Sequence, residues 1–190
     1  MNIDLSGKRV IVTGASRGIG KAIAKAFADE GALVAICARS LEPLQAAASE
    51  FSQQAGEVIV RSVDVTNSEA VRAFVEDVAT AWGGVDVLVN NAGQGQGGNL
   101  DTLTPEAILE HANILQMGHF RFTQAVVPYM RTQRWGRIIE INALVGSIPA
   151  PDGIPSVINR ASCLALSKSL GMSLPKDNIL VNSLNMGWIN

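Results

Sequence analysis

Two patterns of hydrophobic and polar positions alternate along most of this chain. Short apolar runs, typical of strands buried on both faces, occupy residues 8–13, 33–37, 57–63, 85–89, 137–141 and 178–184. Between these runs apolar side chains recur every three or four residues. That spacing predicts helices over residues 18–30, 41–55, 67–82, 104–131 and 156–174, with a kink near Gly118.

The alternation of strands and helices predicts the fold class. It favours an α/β protein with a doubly wound parallel sheet whose two faces are covered by helices. A chain of 190 residues is long enough for one domain, spanning residues 1–190. Such folds bind ligands beyond the carboxyl ends of the strands. We therefore expect a site at the glycine-rich loops that follow the first and fourth strands.

Composition and charge exclude several classes of protein. Apolar residues make up 47% of the chain and the formal net charge is −2, which excludes a disordered chain and a strongly basic nucleic-acid binder. No apolar run is long enough to span a membrane, so we expect neither a nucleic-acid nor a membrane partner. Cys37 and Cys163 are the only cysteines. They predict no metal site or disulfide framework, and we expect a reduced, cytoplasmic protein.

The loop between the first strand and the first helix carries the motif TGASRGIG, residues 13–20. Glycines at such a junction permit a positive φ and let the backbone approach a phosphate. The free N–H groups and positive dipole end of the following helix attract an anion. Three glycines at a strand-to-helix junction therefore favour nucleotide binding over a simple tight turn.

Further motifs accompany this loop through the rest of the chain. They are NNAG at residues 90–93, Asp64-Val65 after the third strand, Asn113, GRII at 136–139 and VNS at 181–183. With TGxxxGxG, they resemble the short-chain dehydrogenase/reductase family. The resemblance implies a Rossmann-type domain, hydride transfer to or from nicotinamide, a small-molecule substrate and assembly as a dimer or homotetramer.

The resemblance also implies which residues bind the cofactor. The first loop would line the pyrophosphate, residues 64 and 65 would meet the adenine, and the loop after the fourth strand would form the floor of the groove. The implied set is Gly14, Ser16, Arg17, Gly18, Ile19, Gly20, Arg39, Asp64, Val65, Asn90, Ala92, Gly93 and Arg160.

The end of the second strand predicts which nicotinamide cofactor is bound. An NAD site commonly places an acid there to hold the ribose 2′-hydroxyl. This chain has Ala38 followed by Arg39, and Arg17 lies in the phosphate loop. Two guanidinium groups suit a 2′-phosphate, so we expect NADP(H) in preference to NAD(H).

The positions that correspond to the family's catalytic residues differ from its usual Asn, Ser, Tyr and Lys. Asn113 matches the first. In the register of the fifth strand, Ala143 stands at the serine position, Ser156 at the tyrosine position and Arg160 at the lysine position. Alanine cannot donate a hydrogen bond, and a serine hydroxyl is a far weaker acid than tyrosine. Arginine keeps its charge and could bond the nicotinamide ribose, but it cannot relay protons.

Other titratable residues do not replace this set in an obvious way. His111 and His119 are most simply hydrogen-bonding histidines, and neither has an evident carboxylate partner in the sequence. Glu140 lies inside the fifth strand, where a buried carboxylate needs a partner that the sequence does not name.

Three functional hypotheses remain open on these residues. The first is an NADP(H)-dependent oxidoreductase of unknown substrate whose proton transfer is rebuilt. The second is a catalytically inactive nucleotide-binding homologue that acts as a sensor or assembly partner, and the third is an engineered or trapped inactive form. Relatives continue beyond the sixth strand with a substrate lid and a seventh strand. We therefore expect the biological protein to be longer, and to assemble through the helices at 113–131 and 156–173.

Overall fold

A six-stranded parallel sheet forms the centre of the protein. The computed structural model describes residues 4–51 and 57–187. The strands are β1 (Arg9–Thr13), β2 (Leu33–Ala38), β3 (Val58–Ser62), β4 (Val87–Asn90), β5 (Gly136–Ala143) and β6 (Ile179–Met186). Their spatial order is β3-β2-β1-β4-β5-β6, and every neighbouring pair is parallel. The predicted doubly wound sheet is confirmed, and its strand order reverses between β1 and β4.

Helices cover the sheet on both faces. They are α1 (Gly18–Asp29), α2 (Leu41–Ala48), α3 (Ser68–Trp82), α4 (Pro105–Ile114), α5 (Gln116–Thr132) and α6 (Ile154–Ser173), with short 3-10 turns at Leu144–Gly146 and Pro175–Asp177. Successive side chains of a strand point to opposite faces. Val10 and Val12 thus pack against α1 and α2, whereas Ile11 packs against α3 and α5. Among the helices of the described ranges, none has both the length and the apolar character that a membrane crossing needs.

The second helix is shorter than its alanine-rich sequence predicts. It ends at Ala48, whereas the expected helix ran to residue 55. The chain then forms a tighter turn, in which the backbone N–H groups of Glu50 and Phe51 bond to carbonyls only three residues earlier. Phe51 turns its ring into the core at this point. The remainder of the predicted helix, residues 52–56, lies outside the described residues.

The break between α4 and α5 falls at Leu115 and not at Gly118. Leu115 has φ −82° and ψ −70° and is fully buried. Gly118 lies inside α5, where a Cβ would approach Cγ2 of Val65 at 3.1 Å. The glycine therefore permits close packing against the segment after β3, and it does not bend the helix.

The helix α3 begins at the cap that the sequence predicts. The side-chain oxygen of Asn67 accepts hydrogen bonds from the backbone N–H groups of Glu69 and Ala70, both at 3.0 Å. These bonds satisfy two donors that would have no partner within the helix.

We predict that Asn67→Ala lowers the free energy of unfolding by about 1 kcal/mol, the usual cost of losing an N-cap. Urea denaturation measures this change, and Asn67→Asp is the matched control because it keeps the accepting oxygen. An equal loss in both variants would show that the cap does not act through this oxygen.

Candidate active site

The phosphate loop between β1 and α1 is folded so tightly that side chains are excluded from two positions. A Cβ on Gly14 would lie 2.8 Å from the Cα of Ala92, and one on Gly20 would lie 2.5 Å from the carbonyl oxygen of Gly14. The first turn of α1 contains no acidic residue and its N-cap, Arg17, makes no capping bond with its side chain. The amino end of α1 can therefore receive an anionic ligand.

Two side chains hold the carboxyl ends of β1 and β4 together. The hydroxyl oxygen of Thr13 accepts hydrogen bonds from the backbone N–H groups of Asn91 and Ala92, at 3.0 and 2.9 Å. The Asn91 amide in turn donates to the carbonyls of Thr13 and Gly14, at 2.9 and 3.1 Å. These bonds fix the phosphate loop against the loop after β4. Neither Asn91 nor Thr13 is among the predicted cofactor residues, although the NNAG and TGxxxGxG motifs contain them.

A cavity of about 770 Å³ opens at this edge of the sheet, across the point where the strand order reverses. This volume is within the usual range for small-molecule sites. Its lining contains most of the expected cofactor residues, namely Gly14, Ser16, Arg17, Gly18, Ile19, Gly20, Arg39, Asp64, Val65, Ala92 and Gly93, together with Asn91, Gln94 and Asn113.

Two arginines of the lining have free guanidinium groups. Arg17 and Arg39 are exposed, and neither guanidinium has a hydrogen bond or ion pair with any residue that the structure describes. Asp64 lies nearby, but its carboxylate accepts from the backbone N–H and the hydroxyl of Thr66. These two bonds hold the pKa of Asp64 below its usual value, with smaller contributions from the charges of Arg39 and Arg121.

Asn90 points away from the cavity into a buried polar network. Its Nδ2 donates to Oε1 of Glu140 at 2.8 Å, and also to Oγ1 of Thr123 and to the carbonyl of His119. The side chain is fully buried and does not line the groove, which differs from its expected role. Alternation along β4 gives the reason, because Asn90 faces α5 and the next residue, Asn91, faces the phosphate loop.

Glu140 finds its second partner in His119. Nδ1 of His119 lies 2.6 Å from Oε2 of Glu140, and both side chains are 1% exposed. The other ring nitrogen, Nε2, donates to the carbonyl of Ala92 at 3.2 Å. Burial alone would lower the pKa of His119, but the charge and hydrogen bond of Glu140, together with the contributions of Cys163, outweigh this effect and raise the pKa to about 10. The expectation that His119 lacks a carboxylate partner is therefore wrong, because the two residues meet only in the folded sheet.

The hydroxyl of Ser156 is bonded to a neighbouring loop. It accepts from the backbone N–H of Gln96 at 2.7 Å and donates to the carbonyl of the same residue at 2.9 Å. The same loop is joined to the start of α6 by a bond from Gly98 N–H to the carbonyl of Asp152, and by one from Ile154 N–H back to Gly98. The loop thus crosses directly over Ser156, and its hydroxyl is not free for a substrate.

Two further positions of the predicted catalytic set, Asn113 and Ala143, lie on α4 and at the end of β5. The Asn113 side chain is exposed, and its oxygen accepts from Arg121 Nη2 at 2.7 Å. Leu115, between α4 and α5, is the side chain that contacts Gly93. A Cβ on Gly93 would lie 2.5 Å from its Cδ1. Leucine offers no hydrogen bond at this position. Ala143, at the end of β5, has no polar side-chain atom.

Arg160 extends into the interior beneath the loop after β4. Its Nη1 donates to the carbonyl of Ile141 at 2.9 Å, and Nε is buried without a partner among the described residues. Burial lowers the pKa of this guanidinium, and Cys163 acts on it in the opposite direction. Arg160 does not belong to the lining of the cavity, but Nη2 lies 3.9 Å from the position of a Cβ on Gly93.

Comparison with known proteins agrees with this geometry. Residues 8–190 match the short chain dehydrogenase family, which is nearly the whole chain. The chain belongs to this family.

Characterised relatives of the short-chain dehydrogenase family cover a range of activities. The chain is 35% identical over 185 residues to an L-fucose dehydrogenase of Oryctolagus cuniculus, covering 97% of this chain and 63% of the relative. It is also 35% identical over 185 residues to the 3-oxoacyl-[acyl-carrier-protein] reductase FabG of Thermotoga maritima, covering 97% and 75%. The chain therefore spans about two thirds to three quarters of the length of these relatives.

Solved structures of the family superpose closely on this chain. An L-sorbose reductase of Gluconobacter frateurii, complexed with NADPH and L-sorbose, is 36% identical with a TM-score of 0.92, covering 97% of this chain and 71% of that structure. An NAD⁺-bound xylitol dehydrogenase is 30% identical with a TM-score of 0.95, covering 99% and 73%. The family thus includes members bound to either nicotinamide cofactor.

The His119–Glu140 pair predicts a specific pH dependence of stability. A raised pKa of His119 means that the folded state holds a proton that the unfolded state releases near pH 6.5. The stabilisation is complete below that pH and is lost as the pH rises toward 10. We expect the free energy of unfolding to fall by up to about 1.4 kcal/mol per pH unit in this window.

Glu140→Gln is the matched variant for this measurement. Its amide oxygen can accept from Asn90 and its N–H can donate to neutral His119. The variant should therefore fold, but its free energy of unfolding should not fall between pH 6.5 and 10. Glu140→Ala leaves both partners unsatisfied, and its free energy of unfolding should be lower than that of the wild type by about 3–5 kcal/mol. Denaturation of the wild type and Glu140→Gln between pH 6 and 10 tests the pair. Parallel curves would contradict a charged pair.

Proposed function

We propose that this chain is an NADP(H)-binding oxidoreductase whose reaction site differs from that usual in its family. The observation that carries the proposal is the pair of unpaired guanidinium groups, Arg17 and Arg39, at a groove that otherwise suits a dinucleotide. A 2′-phosphate supplies a charge and several acceptors for both groups. Ala38 replaces the acid that would hold a 2′-hydroxyl, so no carboxylate at this point repels the phosphate.

The residues of the groove fit the rest of such a cofactor. Gly14 and Gly20 let the phosphate loop pack closely against the loop after β4 and against itself, and the amino end of α1 would receive the pyrophosphate. Asp64 and Val65 would border the adenine. When bound, the nicotinamide would exchange a hydride with a small-molecule substrate.

Exposed apolar side chains on α4, α5 and α6 support assembly into a dimer or tetramer. Leu109, Phe120 and Ile158 expose 68%, 37% and 48% of their surfaces. Phe122 and Val126 also belong to the segment 113–131 expected at the interface, but both are buried in the core. We also propose a cytoplasmic location, supported by two buried free thiols.

A second candidate function is nucleotide binding without ordinary catalysis. It is favoured by Ser156, whose hydroxyl is fully engaged with Gln96, and by Ala143, which offers no donor. We propose that Ala143, Ser156 and Arg160 stand where related enzymes carry serine, tyrosine and lysine, respectively. Among the described residues, no group of three His, Cys, Asp or Glu side chains could hold a catalytic metal ion in their place.

The cofactor assignment predicts that Arg39→Ala loses the preference for NADPH over NADH. Removal of one arginine from a phosphate pair costs about 1.5–3 kcal/mol, which corresponds to a fall of roughly 10- to 150-fold in NADPH affinity. NADH affinity should stay within about twofold. Fluorescence titration of both nucleotides measures this, with Arg72→Met as a control on the remote face of α3. Equal affinities in the wild type, or tighter NADH binding, would contradict the assignment.

The reaction site predicts that simple ketones are reduced very slowly. Positioned acid–base catalysis contributes about 10²–10⁴-fold in rate. We expect the variant Ala143→Ser, Ser156→Tyr, Arg160→Lys to exceed the wild type on a panel of ketones with NADPH. NADPH titration of the same variant verifies that the groove is intact. Ketone reduction by the wild type at ordinary rates would show that another side chain supplies the proton.

A further inference from the structure

The guanidinium of Arg160 is a buried charge without a counter-charge. Arg160 is 9% exposed, and no carboxylate of the described residues lies within ion-pair distance of it. Glu140, the carboxylate buried in the same half of the protein, is already paired with His119. A buried charge is costly to the fold unless an opposite charge accompanies it.

The hydrogen bonds of Arg160 are also incomplete. Among the residues that the structure describes, only the carbonyl of Ile141 pairs with the guanidinium, accepting from Nη1 at 2.9 Å. Nε is enclosed without a partner, and Nη2 makes no hydrogen bond with any described residue. Nε and Nη2 form one edge of the guanidinium, the edge that pairs with the two oxygens of a carboxylate. This edge, which can pair with a carboxylate, therefore has no partner among the described residues.

The free edge lies beside the floor of the groove. Nη2 is 3.9 Å from the position of a Cβ on Gly93, and Gly93 lines the cavity. A Cβ at this position would lie 2.5 Å from Cδ1 of Leu115, so glycine permits the close approach of this loop to Leu115 and Arg160. The groups close to Arg160 are the carbonyl of Ile141, the thiol of Cys163 and the backbone of Gly146. None of them is a carboxylate.

We propose that Arg160 is an anion-binding residue at the inner end of the groove, and that it receives the carboxylate of a small acidic substrate. A neutral hydroxyl could accept a bond from Nη2 but would not balance the charge. The cofactor phosphates have their own site at the amino end of α1, so the anion comes from a second ligand. The assignment to a substrate rests on the proposed function, whereas the anion site does not.

The melting temperature of Arg160→Met distinguishes ligand binding by Arg160 from a role in stabilising the fold. Methionine fills much of the same space without a charge or unsatisfied donors. If Arg160 serves a ligand, its replacement should leave the melting temperature unchanged or raise it, because uncompensated buried charges destabilise the fold. A substantial fall would indicate that the guanidinium stabilises the fold through contacts within the protein.

Acetate and acetamide, which have nearly the same shape, test the ligand directly. We expect acetate at ten times its Kd to raise the wild-type melting temperature by about 3–6 °C, and acetamide to have little effect. The acetate effect should vanish in Arg160→Met, persist in part in Arg160→Lys, and be unchanged in Arg72→Met at the same salt concentration. The same series is repeated with saturating NADPH.

Three outcomes overturn the proposal. They are an equal acetate effect in the wild type and Arg160→Met, no difference between acetate and acetamide in the wild type, and a fall in melting temperature of Arg160→Met without any acetate effect. A fall in NADPH affinity in Arg160→Met, with no preference for acetate over acetamide, would mean that Arg160 contacts only the cofactor. The inference would then fail, but the proposed function would stand. If the wild type binds acetate but not NADPH, the proposed function fails separately.

Discussion

The carboxylate of Glu140 is the constraint on which the floor of the groove depends. It lies in the middle of a strand covered on both faces, where an ionised group is stable only with partners. Its two oxygens meet Asn90 at the end of β4 and His119 on α5. His119 then holds the carbonyl of Ala92, the residue that packs against Gly14. One buried pair therefore links the central strands, the helix beneath them and the loop that lines the groove.

The two ends of the site differ in how their polar groups are used. At the end lined by the phosphate loop, the guanidinium groups of Arg17 and Arg39 make no hydrogen bond or ion pair with a described residue, and the N-cap side chain of α1 makes no capping bond. At the opposite end, the hydroxyl of Ser156 is bonded twice to Gln96, whereas Arg160 has donors without a partner among the described residues. This contrast explains why cofactor binding and ordinary carbonyl chemistry are separable expectations for this chain. Hydrogen-bond donors already satisfied within the protein do not stabilise a developing oxyanion.

Local sequence was sufficient for the fold but not for the contacts that define the site. Continuous apolar runs and the glycines of residues 13–20 predicted the parallel sheet and the ligand edge, because both signals depend on neighbouring residues. The pairing of His119 with Glu140, and of Ser156 with Gln96, joins residues 21 and 60 positions apart. The orientation of Asn90 against Asn91 depends on where β4 ends. These features arise from tertiary packing, which a single sequence does not encode in any local pattern.

A crystal structure of this protein with NADPH is the decisive experiment for the proposal that the groove is an NADP(H) site next to a changed reaction centre. We expect the 2′-phosphate between Arg17 and Arg39, the pyrophosphate at Gly14–Gly20, and no side-chain hydroxyl within hydrogen-bond distance of a carbonyl placed against the nicotinamide. A groove that stays empty at millimolar NADPH would contradict this proposal. So would a 2′-phosphate bound away from both arginines, or a tyrosine or serine hydroxyl directed at the nicotinamide.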